Sequence, residues 1–96
     1  MMILVCYDVE TKRPGGQKRL ARIARICKNY GQRVQHSVFE CTLTPDRWEV
    51  LKKKLLNTYN PEKDSLRFYL LGANWKRRVE HHGIKEGYDP EGPLIV

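Results

Sequence analysis

The chain has 96 residues, which allows one domain around one core of modest size. It holds no run of about 18 apolar residues, so nothing in it is expected to span a membrane. Its three cysteines, Cys6, Cys27 and Cys41, match neither a disulfide framework nor a zinc site and read as reduced core thiols of a cytoplasmic protein.

The formal net charge is +7 with a pI near 9.5, which points towards polyanionic partners. The charge is concentrated. Lys12, Arg13, Lys18, Arg19, Arg22, Arg25, Lys28 and Arg33 fall in one stretch that contains no acid, and the rest of the chain is close to balanced. A solvated positive face is the plain reading of such a run. Its concentration on one helix and its flanks favours phosphate contact.

Residues 2–8 form a continuous apolar run closing on Tyr7-Asp8, the pattern of a strand buried on both faces. The preceding residues lack the basic lead and cleavage site of a signal peptide. Pro14-Gly15-Gly16 is a loop delivering the chain into a helix. In that helix Leu20, Ile23, Ala24 and Cys27 recur at helical spacing, with Tyr30 one turn on and Gly31 as the expected C-terminal cap. Lys18, Arg22 and Arg25 fall between the apolar positions and give the helix a basic face.

Residues 33–43 are rich in β-formers and read as one bent strand or two short ones, with a bulge or bend near Ser37. Thr44-Pro45-Asp46 starts a second helix with a capping hydroxyl, a proline and an acid. Trp48, Leu51, Leu55 and Tyr59 form its buried stripe, Lys52-Lys53-Lys54 its outer side, and Asn60-Pro61 its end. Leu66, Phe68 and Leu70 alternate with Arg67 and Tyr69 as a further strand. Residues 76–83 read as an edge strand or an irregular turn. The chain closes on Leu94-Ile95-Val96.

This order predicts an α+β, ferredoxin-like βαββαβ domain over residues 1–96, an antiparallel sheet with two helices on one face. The other sheet face is left bare, so a sheet-to-sheet homodimer is expected to cover it. Residues 84–96 are expected to cross to the partner subunit as an added strand; the plain alternative is a frayed terminus.

Asp8, at the end of the first strand, reads either as a turn residue or as a hard-metal ligand. One Asp per chain makes half of an Mg²⁺ site, which two copies across a dimer axis would complete for phosphodiester hydrolysis. Glu10, Glu40 and Asp64 read as solvated surface acids. His36, His81 and His82 carry no readable role, and no nucleotide-binding loop is present.

Tyr7-Asp8, the basic first helix, and Gly31-x-Arg33-Val34-Gln35-x-Ser37-Val38-Phe39-Glu40 together resemble the CRISPR-associated endoribonuclease of the second Cas type. That family is the small homodimeric partner of the CRISPR integrase. Arg67-Phe68-Tyr69-Leu70 extends the likeness over nearly the whole chain. The resemblance implies a ferredoxin-like homodimer and Asp8 as the metal-binding, catalytic residue. It also implies Arg19, Arg33 and Phe39 as nucleic-acid or activity residues beside Lys18, Arg22 and Arg25. It further implies Mg²⁺, an RNA or duplex DNA substrate, and assembly with the integrase in spacer acquisition. A non-catalytic scaffold that bridges DNA between integrase subunits, with Asp8 structural, is the alternative. A single-strand RNA reader is the weaker third, since only Phe39 is placed to stack a base.

Overall fold

A computed structural model describes residues 1–84 of the chain. The elements run β1 (Met2–Asp8), α1 (Gly16–Lys28), β2 (Gln32–Gln35), β3 (Val38–Thr42), α2 (Pro45–Leu56) and β4 (Ser65–Gly72), followed by a 3₁₀ turn at Trp75–Arg77. The four strands form one antiparallel sheet in the order β2-β3-β1-β4, the expected ferredoxin-like plan. No helix among the described residues is long and apolar enough to cross a membrane.

Alternation along β1 sets the two faces of the sheet. Ile3, Val5 and Tyr7 point into the core, joined there by Phe39 and Cys41 of β3 and, half-buried, by Leu66 and Phe68 of β4. Ile23 and Cys27 of α1 and Trp48, Leu51 and Leu55 of α2 close the core from above. Trp48 meets Phe68 edge to face at 4.9 Å, an arrangement that suits the aromatic quadrupoles. The apolar stripes read from both helices are therefore the ones that pack.

On the opposite face Met2 is fully buried, Leu4 and Cys6 are half-buried and Asp8 is exposed, so in a single chain this face of the first strand is open towards its Asp8 end. Leu4 lies between Glu40 and Tyr69, and Cys6 between Val38 and Arg67. Tyr69 is 42% exposed.

Two open alternatives are decided, at 33–43 and 76–83, and two local expectations change, at Gly31 and Thr44. The 33–43 segment is a hairpin of two strands, with Ser37 in its turn and the register slip between Arg33 and Gln35. Gly31 does not adopt a left-handed cap. It is glycine because a Cβ there would run into the Glu40 carbonyl and the Cys41 sulfur, where the chain leaving α1 crosses β3. Thr44 precedes α2 without a side-chain cap hydrogen bond, and its hydroxyl helps hold the Asp46 carboxyl below the usual carboxylate range. Residues 76–83 form no strand. The expected crossing segment, 84–96, lies outside the described residues apart from Ile84.

Leu51 has no solvent exposure and sits in the middle of the helix–sheet core. Leu51→Ala should destabilise the fold by roughly 2–5 kcal/mol, read as a lower midpoint in urea unfolding. Val50→Ala, one residue away but 48% exposed, should change it little.

Candidate metal and nucleic-acid site

Asp8 is the last residue of the central strand. Its neighbours Tyr7 and Val9 are 6% and 8% exposed, so the backbone on both sides is anchored in the core while the carboxylate faces solvent. Across the ladder it stands opposite Ser65, the first residue of β4. The Tyr7 N–H donates to the Ser37 carbonyl at 3.1 Å, which docks the β2–β3 turn, with His36 and Ser37, at this same end of β1. Nothing local in the sequence signalled that approach.

The donor chemistry at Asp8 suits a hard divalent cation, which takes one or two carboxylates and fills its remaining positions with water and phosphate oxygens. Among the described residues no three acidic, histidine or cysteine side chains gather into a metal cluster. One chain therefore brings fewer than three such ligands together among the described residues, and the arrangement expected from the sequence needs a second copy. Burial pushes the Cys27 and Cys41 thiols up to about 12, so neither supplies a thiolate near neutral pH.

The basic residues divide into two groups. Lys18, Arg22 and Arg25 are exposed along α1 and carry no ion pair among the described residues. They leave a free positive face because the apolar stripe of α1 is turned into the core. Arg33, exposed on β2, lies with its guanidinium carbon 5.0 Å from the centroid of the Phe39 ring. Phe39 itself has no solvent exposure and stacks near Tyr7 at 6.2 Å. It cannot offer a face to a base, contrary to the expectation that it contacts nucleic acid. Alternation puts Phe39, Cys41 and Leu43 on one side of the strand and Val38, Glu40 and Thr42 on the other, and packing makes the first of these the core side.

Arg19 differs from its neighbours on the helix. Its side chain is 16% exposed and pairs with Asp64, whose side chain has no exposure at all. Arg19 Nε donates to Asp64 Oδ2 and Nη2 to Oδ1 at 2.9 Å. The guanidinium is thus engaged within the protein, and Asp64 is no surface acid. The Arg19 hydrogen bonds, together with backbone N–H donors from Asn60 and Glu10, hold the Asp64 carboxyl below the usual carboxylate range against the opposing effect of burial. Glu10 is also held low, first by the Arg13 backbone N–H.

A model of the family described as CRISPR associated protein Cas2 matches residues 1–79. The chain belongs to the Cas2 family. It is 59% identical to a protein named CRISPR-associated endoribonuclease Cas2 from Nitratidesulfovibrio vulgaris, over all of this chain and 94% of that one. It is equally close, over the full length of both, to the protein of that name from Chlorobaculum tepidum. Among solved structures, Streptococcus pyogenes Cas2 is 54% identical, covers 86% of this chain and all of its own, and superposes with a TM-score of 0.74. A Cas2 fold is accordingly what carries Asp8 and the basic helix.

Asp64 has a depressed pKa in the folded state, so its contribution to stability is complete above the unfolded value, about 4. That contribution is lost as the pH falls through the lower folded value. Asp64→Asn should be less stable than the parent at neutral pH, and the gap should close as the pH is lowered from about 5 towards 2. Urea midpoints measured across that range check it; a gap that is constant with pH would show that Asp64 is not ionised in its pair.

Proposed function

We propose that this chain is a CRISPR adaptation protein. In this reading it is a metal-dependent endonuclease that hydrolyses phosphodiester bonds of RNA or double-stranded DNA and assembles with the CRISPR integrase during spacer acquisition. The observation that carries the reading is the exposed Asp8 carboxylate held between two buried residues at the end of the central strand. Relatives named endoribonuclease, and one from Halalkalibacterium halodurans named endonuclease, support the hydrolytic activity. A solved assembly described as a partial Cas6-RT-Cas1–Cas2 complex supports the integrase partner. One chain in it is 33% identical with a TM-score of 0.62 and covers 83% of this chain and 88% of its own.

The functional unit is a homodimer packed through the open sheet face, which brings the two Asp8 residues to one site. Half-buried Leu4, Cys6 and Val38 and exposed Tyr69 on that face support the pairing. Asp8 from each subunit would hold Mg²⁺. When bound, the ion orients and acidifies a water and offsets phosphate charge. Lys18, Arg22 and Arg25 bind the phosphodiester backbone, and Arg33, steadied by the Phe39 ring, adds a further cation. The unpaired cations of α1 also favour a second reading, in which the dimer bridges a duplex between integrase subunits and Asp8 is structural.

Four measurements test these readings. Sedimentation equilibrium should give about twice the chain mass of 11.3 kDa; the single-chain mass under native conditions would end the paired-Asp8 account. Asp8→Asn should abolish metal-dependent cleavage while leaving fold and dimer intact. If it cleaves as well as the parent, Asp8 is not the catalytic ligand. Should that variant still support spacer capture while charge reversal along α1 does not, the bridging role is the biological one. Finally, replacing Lys18, Arg22 and Arg25 by Gln should flatten the log–log salt dependence of duplex binding by roughly 0.9 for each phosphate that is no longer neutralised. Weakening that depends on base sequence would instead mean that α1 reads bases.

A further inference from the structure

Asp64 has the most hydrogen-bond donors of any carboxylate near the Asp8 end of the sheet. It accepts from the Glu10 N–H at 3.1 Å, the Asn60 N–H at 2.9 Å, and both Arg19 nitrogens. These donors come from three parts of the chain: the loop after β1, the turn before β4, and α1. Arg19 Nη2 also donates to the Glu10 carbonyl at 3.2 Å. The Glu10 carboxylate in turn accepts from the Lys12 and Arg13 N–H groups and shapes the loop entering α1. Gly16 lies so close to the Glu10 carbonyl that any Cβ would collide with it, so the start of α1 is seated on the same peptide.

The placement is what matters. Glu10 is two residues beyond Asp8, in the loop that follows its strand, and Asp64 directly precedes Ser65, the residue paired with Asp8. The Asp64–Arg19 pair therefore ties both strands just past the point where Asp8 projects. Burying such a pair is a poor way to gain stability, because desolvation offsets most of the attraction and an apolar pair of similar volume does as well. What a bidentate guanidinium–carboxylate pair supplies is fixed geometry.

We propose that Arg19 and Asp64 are positioning residues that hold the Asp8 strand end in the geometry metal-dependent cleavage requires, so that Arg19 acts through Asp64 and not by contact with nucleic acid. The proposal rests on Asp8 being the catalytic ligand. It replaces the expectation that Arg19 belongs with Lys18, Arg22 and Arg25 as a phosphate contact, and it gives a role to an acid with no sequence signal of its own.

The test compares the full-length parent with Arg19→Gln, Asp64→Asn, the double variant, Arg19→Lys and Asp8→Asn. Cleavage of an oligonucleotide in Mg²⁺ gives kcat and KM, and amide hydrogen exchange is followed by NMR. Melting curves select the temperature at which every variant is folded, and Arg19→Lys, which keeps the charge without the fork, serves if Arg19→Gln does not fold. Arg19→Gln and Asp64→Asn should each speed exchange at the Glu10 and Asn60 amides by more than at Val5, inside the β1 ladder, where exchange rises only with the loss of global stability. Each should lower kcat by roughly 10- to 100-fold, the effect of misplacing a reacting group by about 1 Å. KM should stay within about twofold, and the double variant should be no worse than the more damaged single one. Arg19→Lys should fall between.

If Arg19→Gln raises KM while Asp64→Asn does not, Arg19 touches the nucleic acid and the proposal is wrong. Unchanged kcat in both variants, with exchange accelerated, reduces the pair to a loop staple and also overturns it. If Asp8→Asn is inactive, such failures concern the pair alone. If Asp8→Asn cleaves like the parent, the reading of Asp8 falls and this proposal falls with it.

Discussion

The central strand β1 is hydrogen-bonded along both edges, to β3 and to β4, and its side-chain parity governs the rest of the molecule. Ile3, Val5, Tyr7 and Val9 are buried in the core beneath the helices. The intervening residues Leu4, Cys6 and Asp8 must then face the other way, because successive residues of a strand alternate between faces. A slip of one residue would drive the Asp8 carboxylate into the helix layer and turn Val5 outward. Burial of Ile3, Val5 and Phe39, none of which has any solvent exposure, opposes that slip. The exposure of the candidate metal ligand thus follows from the hydrophobic register of the strand that carries it.

The same division of faces separates the two tasks of the basic residues. Helix α1 turns Ile23 and Cys27 inward, which leaves Lys18, Arg22 and Arg25 in solvent with no ion pair among the described residues. Such charges are screened and add little to folding, but they remain available to a polyanion. Arg19 is drawn inward by Asp64 and becomes part of the scaffold. Arg33 stands between these cases, exposed at its head and steadied against an aromatic ring. One helix and its flanks therefore supply both an exposed positive face and a strut for the loop beside Asp8.

The open face of the sheet gives this small domain its other constraint. Two helices cover one side, and Leu4, Cys6, Val38 and Tyr69 are left on the other with partial or open exposure. A second copy on that face would bury apolar area and bring two half-sites together in one step. In the proposed dimer, association and assembly of a shared carboxylate site would both follow from one unfilled surface.

Much of the fold was legible in the sequence because it rests on local periodicity. The run 2–8 named the central strand, the spacing of Leu20, Ile23, Ala24 and Cys27 named one helix face, and that of Trp48, Leu51 and Leu55 named the other. The concentration of cations between Lys12 and Arg33, and Asp8 at a strand end, were equally visible. What the sequence could not disclose depends on residues far apart in the chain. Arg19 and Asp64 are separated by 45 positions, and their pairing exists only because the sheet order sets the turn before β4 beside the start of α1. Gly31 looked like a helix cap, yet the contact that requires glycine is made with β3. Phe39 looked available to a base until the packing of β3 against Tyr7 and the helices enclosed it. Alternation and helical spacing are set by the backbone and can be read one residue at a time. Which polar groups meet, and which aromatic ring is closed off, is set by long-range register and close packing, and tertiary structure alone decides them.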